Sequence, residues 1–223
     1  MISVIYFIRH GLTEGNIKHW FYGSVDVPLL PEGIDQLKRL RAEGIYPDIP
    51  EGSPVFTSAL VRTEQTLQTI FGDLPHRRLP EFNEFDFGRY EKAVFEEMKD
   101  DPEFMAGVND EVGNLRFGGG DSRDSFRDRV ARGLDILRQA HASHEKECQD
   151  EGLPRAVSLA VIHGGVISQV MRQLFPAENR DRYAWIPDPG MGYAVYFEGG
   201  EPARHELIGR QGTMNATGHM KNL

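Results

Sequence analysis

The chain has 223 residues, enough for one α/β domain or a domain with a large insertion. Hydrophobic residues make up 39% and charged residues 26%, a composition that supports a core and excludes wholesale disorder. The net charge of −9 and pI near 5.4 exclude a general nucleic-acid binder, so an anionic ligand needs a local positive pocket within a negative body.

Taken in chain order, Ile2–Ile8 is an almost unbroken apolar, β-rich run ending in Arg9-His10-Gly11. A run of that kind suits a strand buried on both faces of a parallel sheet. It is too short, and lacks the basic leader, for a signal peptide. Ile34, Leu37 and Leu40 mark a helix after the turn Pro31-Glu32-Gly33. Pro54–Thr57 is a short strand leading into a helix with Leu60, Leu67, Ile70 and Phe71 on its apolar side, and Thr57 or Ser58 is expected to cap it. Residues 90–120 are acidic and end in Gly118-Gly119-Gly120. They are read as a partly helical capping insertion over one end of the sheet, with the glycines as a mobile hinge.

Phe126, Val130, Leu134 and Leu137 mark a long helix with Asp121 or Ser122 as its cap. Val157–Ile162 repeats the first strand pattern and ends in His163-Gly164-Gly165. Val166, Val170, Met171, Leu174 and Phe175 mark a helix closed by Pro176, and Gly192–Phe197 and Glu206–Ile208 read as late strands. The alternation predicts a three-layer α/β/α sandwich with a mostly parallel sheet in a single domain. The tail from Gln211 is expected to fray, and the sequon Asn215-Ala216-Thr217 to be inert.

Ligands of open α/β sheets bind beyond the carboxyl ends of the strands. Three segments bring Arg9, His10 and Asn16, then Arg62, then His163 to that edge. Guanidinium forks match phosphate oxygens, and the helix starts after Ser58 and Gly164 add N–H donors. The conjunction predicts a compact anion site. Elsewhere, His141 and His144 lie one helical turn apart and read as a solvated helix end rather than a metal site. Cys148, the sole cysteine, reads as a surface thiol and excludes an internal disulfide.

The ordered blocks resemble the histidine phosphatase superfamily, which includes the phosphoglycerate mutases. Arg9-His10-Gly11-Leu12-Thr13-Glu14-Gly15-Asn16 matches its opening motif. Gly23, Asp26, Pro28-Leu29 and Gly33 follow, then Thr57-Ser58-Ala59-Leu60-Val61-Arg62 through Gln65-Thr66. Asn83-Glu84-Phe85-Asp86-Phe87-Gly88, Gly120-Asp121-Ser122 and Val161-Ile162-His163-Gly164-Gly165 complete the order. The chain departs from the family at Tyr90-Glu91-Lys92, where Trp-Glu-Gly is usual, and at Asp121, which replaces a glutamate.

The resemblance implies a phosphohistidine mechanism. His10 is the nucleophile, with the reacting nitrogen open at this level. Arg9, Asn16, Arg62, His163 and the start of the helix at Gly164 bind the phosphoryl oxygens. Glu84 is the proton donor, with Glu81 and Asp86 as alternatives, and its pKa is expected to rise on partial burial and beside phosphate. The mutase-specific Glu-Arg-His-Tyr-Gly run is absent, and the insertion offers only Arg89, Lys92, Lys99 and Arg116. The favoured reading is therefore a metal-independent, cofactor-free phosphomonoesterase acting on a small metabolite. A cofactor-dependent phosphoglycerate mutase and a phosphate-binding regulatory protein are the alternatives. Acidic residues over the mouth would bias it towards singly phosphorylated substrates. A cytoplasmic location, no nucleic-acid or membrane partner, and no metal are expected, with a homodimer left open.

Overall fold

The computed structural model describes residues 1–209, so the tail from Gln211 and the sequon at Asn215 lie outside the described residues. Two apolar runs form the centre of the sheet. β1 (Ile2–Arg9) pairs in parallel with β4 (Arg155–Ile162), from Ile2 opposite Arg155 to Arg9 opposite Ile162. β2 (Val55–Thr57) lies parallel to β4 on its other side, and β3 (Arg77–Arg78) is parallel to β2. Beyond β1, β5 (Gly192–Glu198) and β6 (Glu201–Ile208) form an antiparallel hairpin, giving the order β3-β2-β4-β1-β5-β6. Only β5 opposes the common direction, so the sheet is mixed but mostly parallel.

The period-2 alternation of strand side chains divides the core. On one face, Ile5, Phe7, Ala160, Ile162 and Val195 pack with Val130, Leu134 and Leu137 of α6 (Arg123–Asp150) and with Val166, Val170 and Met171 of α7 (Gly164–Leu174). On the other, Val4, Ile8, Val157, Leu159 and Val161 meet Leu37 of α2 (Pro31–Ala42) and Leu67 and Ile70 of α3 (Val61–Phe71). Helices on both faces complete three layers. Proline at the first position of α2 suits a site where its missing N–H costs nothing.

Several local expectations change. Neither Thr57 nor Ser58 caps α3; its first N–H, at Val61, donates to Asp26 Oδ1 at 2.8 Å, which ties the helix start to the preceding loop. Ser122, and not Asp121, caps α6 by accepting the Ser125 N–H at 3.1 Å. His141 is buried, with its Nε2 bonded to Ser3 Oγ at 2.8 Å and its Nδ1 to Ser158 Oγ at 2.9 Å, so it is a core histidine and not a solvated helix end. Cys148, also buried, lies 3.5 Å from His144 Nε2.

Residues 88–120 contain α4 (Phe95–Met98) and α5 (Pro102–Val108), gathered around Phe21, Tyr90, Met98, Phe104 and Phe117. Gly118–Gly120 do not form an unattached hinge. Gly118 O accepts the Arg89 N–H at 3.0 Å, and a Cβ on Gly120 would stand 2.2 Å from the Asp86 carbonyl oxygen. These glycines allow two backbone segments to pack together. Among the described residues, no helix is long and apolar enough to cross a membrane.

Candidate active site

The β1–β4 register carries Arg9-His10 and His163 to one edge of the sheet, and the His10 N–H donates to Ile162 O at 2.9 Å. β2 ends beside them, opposite Val161 at Thr57, and places Arg62 in the first turn of α3. The chain turns into α3 through Ala59, a non-glycine residue at φ 76°. A cavity of about 740 Å³ opens over this edge, and Arg9, His10, Asn16, Tyr22, Arg62, Glu84 and Gly164 line its inner end.

The hydrogen bonds assign the ends of each polar side chain. His10 Nδ1 lies 2.8 Å from the Gly11 carbonyl oxygen. A carbonyl only accepts, so Nδ1 carries the proton and Nε2 keeps the lone pair. Burial, then Arg62 and Arg9, hold the His10 pKa well below the ordinary histidine range, so the ring is neutral. Asn16 Oδ1 accepts from both the Thr13 N–H and Thr13 Oγ1, each at 3.0 Å, which leaves its Nδ2 amide as the open donor. Because Thr13 Oγ1 donates to Asn16, Tyr22 OH donates to Thr13 Oγ1, at 2.7 Å.

Arg62 is wholly buried. Its Nη1 donates to Val25 O at 2.9 Å, its Nη2 to Gly23 O at 2.7 Å and its Nε to His163 Nδ1 at 3.2 Å. Two of its five N–H bonds remain for a ligand. Arg9 Nη1 donates to Pro187 O at 2.8 Å, while its buried Nε has no hydrogen-bond partner. A buried, unpaired guanidinium N–H beside a neutral imidazole is a site that an oxyanion completes.

His163 differs from the expected free phosphate donor. Its Nδ1 accepts from Arg62, so its Nε2 carries the proton and donates to Ser58 Oγ at 2.7 Å. Both ring nitrogens are engaged, and the ring stands edge-on to His10 with centroids 5.2 Å apart. In this arrangement His163 orients Arg62. Burial, then Arg62, His10 and Arg9, also push its pKa well below the ordinary range.

Glu84 is the acidic residue that faces the site; Glu81 and Asp86 do not line the cavity. Glu84 Oε2 accepts the Gly165 N–H at 2.8 Å and Oε1 accepts the Phe85 N–H at 3.0 Å. The loop beneath it hangs on Arg129 of α6, whose Nη1 donates to Asn83 O at 2.6 Å and whose Nη2 donates to Glu84 O at 3.1 Å. Arg129 Nη2 also pairs with Asp121 Oδ2 at 2.6 Å, and the Asp86 N–H donates to that same oxygen at 3.1 Å. Aspartate at position 121 therefore makes these supporting contacts.

Glu91 supports the other side. Its carboxylate accepts the N–H groups of Gly23 and Ser24, at 3.0 and 2.9 Å, and so fixes the loop whose carbonyls hold Arg62. Lys92 stands where the family has glycine, at φ 69°, with its ammonium 5.7 Å from the Trp20 ring centroid. Arg129 and Tyr22 are missing from the reading of motifs alone. A mid-helix arginine and a loop tyrosine carry no local signal of their partners, whereas Glu91 sits inside a recognised block.

The outer end of the cavity is less acidic than expected. Six arginines and four carboxylates line the whole cavity, and of the acids in residues 90–120 only Glu111 reaches it. The cations of that stretch face elsewhere: Arg89 pairs with Asp101 and Glu103, Lys99 with Glu96, and Arg116 donates to Gly120 O.

Fold and site together define a three-layer α/β/α protein with a neutral histidine set between two buried arginines at the strand ends. The chain belongs to the histidine phosphatase superfamily (branch 1), whose family model matches residues 5–207. It is 30% identical over 182 residues to the adenosylcobalamin/alpha-ribazole phosphatase of Escherichia coli K12, covering 78% of this chain and 81% of the relative. It is 35% identical over 127 residues to the 2,3-bisphosphoglycerate-dependent phosphoglycerate mutase of Rhizobium etli, covering 52% of this chain and 51% of the relative. The match thus spans about half the length of that mutase. The crystal structure of the alpha-ribazole phosphatase from Shigella flexneri superposes with a TM-score of 0.73 at 25% identity, covering 95% of this chain and all of the other.

Proposed function

We propose that the protein is a phosphomonoesterase that hydrolyses a small-metabolite phosphate through phosphohistidine at His10. The observation that carries this reading is the tautomer of His10. Nδ1–H is fixed on Gly11 O, so the lone pair of Nε2 is the nucleophile, beside Arg9, Asn16, Arg62 and Glu84.

Nε2 attacks phosphorus as the bond to the leaving oxygen breaks, and Glu84 delivers a proton to that oxygen. The unpaired Arg9 Nε–H, the two open Arg62 N–H bonds, the Asn16 amide and the first turn of α7 hold the phosphoryl oxygens. A water then attacks the phosphohistidine and gives its proton to Glu84. The P–N bond breaks, inorganic phosphate leaves, and both groups return to their starting state. His163 acts chiefly by aiming Arg62, and it reaches the phosphoryl group only by exchanging its bond to Ser58. The arginines provide the positive charge, so the activity is expected to survive chelators. Residues 90–120 act as the cap of a single domain in this reading, and the protein works in the cytoplasm.

The phosphatase reading is favoured over the mutase because the phosphatase relative aligns over most of both chains and the mutase over half. The test is phosphate release from aryl and alkyl phosphates, together with trapping of a label on His10 that is base-stable and acid-labile, as a phosphohistidine is. Wild type should release phosphate and His10→Ala should not. Faster interconversion of 2- and 3-phosphoglycerate than phosphate release would overturn it.

A further inference from the structure

The inner end of the cavity accounts for a phosphoryl group, yet the cavity has about 740 Å³, the size of a site for a whole metabolite. Its outer end is built from two helices and a loop. Gly165, Gln169 and Arg172 follow one another along the cavity side of α7, at the i, i+4, i+7 spacing that stacks residues on one face. Arg123, at the first position of α6, and Arg182, in the loop after α7, complete the wall.

Two of these three guanidinium groups have no acidic partner among the described residues. Arg172 makes no hydrogen bond or ion pair among the described residues. Arg182 lies over the Tyr183 ring, 5.7 Å from its centroid, and has no acidic partner there. Arg123 is half-buried and donates to two carbonyls, those of Val108 and Asp110. Neither carbonyl brings a full negative charge, but the nearby Asp110 carboxylate offsets part of the Arg123 charge. Burial and then the nearby charge of Arg182 lower the Arg123 pKa, so the two like charges feel one another across the cavity wall.

None of the acids at this end forms an ion pair with the three arginines among the described residues. Asp124 pairs with Arg127 at 2.6 Å, Asp181 accepts the Tyr183 N–H at 2.7 Å, and Glu111 is the remaining carboxylate. Arg172 and Arg182 are exposed, so the wall presents two solvated guanidinium forks, unpaired among the described residues, to an anion entering the cavity.

We propose that Arg123, Arg172 and Arg182 form a second anion subsite, which selects phosphomonoesters whose other end carries an oxyanion, carboxylate or phosphate, about 10 Å from the scissile phosphorus. The span follows from the seven-position step from Gly165, which touches Glu84, to Arg172, at about 1.5 Å of helix rise per residue. The inference deepens the phosphatase reading and rests on it for turnover, but the binding it describes is separate.

The probes are ω-carboxyalkyl phosphates of increasing chain length, their uncharged methyl esters, and ω-phosphonate analogues that distinguish a carboxylate from a phosphate as the second group. Wild type is expected to prefer the acids to the matched esters by at least about tenfold in kcat/KM, through KM, with a maximum at one chain length. Arg172→Gln and Arg182→Gln should each remove most of that preference and leave the kinetics of the methyl esters unchanged. Equal kcat/KM for acid and ester at every length, or variants that keep the preference, would overturn the subsite. Calorimetric binding of the same compounds to His10→Ala separates the two proposals. Acid-selective binding without turnover in wild type overturns the phosphatase reading and sustains the subsite. Binding that ignores the second charge overturns the subsite whatever the turnover.

Discussion

Arg129 Nη2 donates to the main-chain carbonyl of Glu84 at 3.1 Å, so the candidate proton donor is positioned by a helix it does not belong to. The same guanidinium binds Asn83 O and Asp121 and thus joins three segments. Arg129→Ala should destabilise the fold by about 2–4 kcal/mol, since it leaves a largely buried carboxylate without its counter-charge and three carbonyls without their donor. Activity on alkyl phosphates should fall roughly 10–100-fold as the acid loses its place. Aryl phosphates, whose leaving groups need little protonation, should lose much less. Urea denaturation and steady-state kinetics on both substrate types check this, and equal losses on the two would contradict the positioning role.

Gly165 is a second point of control over the same carboxylate. Its N–H donates to Glu84 Oε2, and a Cβ at this position would stand 2.4 Å from Oε1. The obstructing atom is the end of a flexible side chain, so Gly165→Ala should fold, with Glu84 displaced. A loss of roughly tenfold or more in kcat for alkyl phosphates is expected at nearly unchanged melting temperature. Thermal melts and kinetics on one preparation decide it; unchanged kcat would show that Glu84 is not held in the reactive position by this contact.

The acid side of the pH profile tests the His10 assignment. Histidine ordinarily titrates near pH 6.5 (roughly) and would lose its nucleophilic lone pair below that value. Burial, Arg62 and Arg9 depress the His10 pKa well below it, so the reactive form persists as pH falls. The His10 and His163 ring signals in an NMR titration should stay in the neutral form between about pH 8 and 5.5. The free enzyme's kcat/KM should show no His10 limb near neutrality. A His10 ring that protonates near its ordinary value would contradict the electrostatic account.

How far the sequence alone discloses this molecule depends on whether a partner leaves a local trace. β1 and β4 are legible because strands buried on both faces are apolar throughout, and their His-Gly ends then fall at one edge. β6 extends further than its apolar Glu206–Ile208 segment because an edge strand faces water along most of its length. Cys148 was readable as a core residue: it lies seven positions after His141 and continues the buried face of Val130, Leu134 and Leu137. The polar residues around it obscured that spacing. Arg129 could not be read, because it acts on a segment distant in the chain, and the place of Arg172 and Arg182 on the cavity wall is set only by the tertiary fold. The negative composition gave no warning of them either, since net charge does not report where charges meet.

His141 provides a prediction independent of catalysis. The ring is buried between Ser3 and Ser158, hydroxyls that can satisfy a neutral imidazole with one donor and one acceptor. Burial, with a smaller contribution from His144, lowers its pKa to about 4. The unfolded chain takes up this proton at about pH 6.5, and the native state holds it off until about pH 4. Between those values the unfolded state binds more protons, so stability falls as pH falls. The loss totals roughly 3 kcal/mol from this group, with no further change below the folded pKa. Above about pH 6.5 its contribution is constant. His141→Gln should be less stable than wild type at pH 7.5, by about 1–2 kcal/mol for the altered hydrogen bonds and packing. At pH 5 the gap should shrink or reverse by about 2 kcal/mol, because the variant has no buried imidazole to keep neutral. Urea midpoints for both proteins at the two pH values measure this directly, and parallel pH dependences would show that His141 is not the acid-labile element of the core.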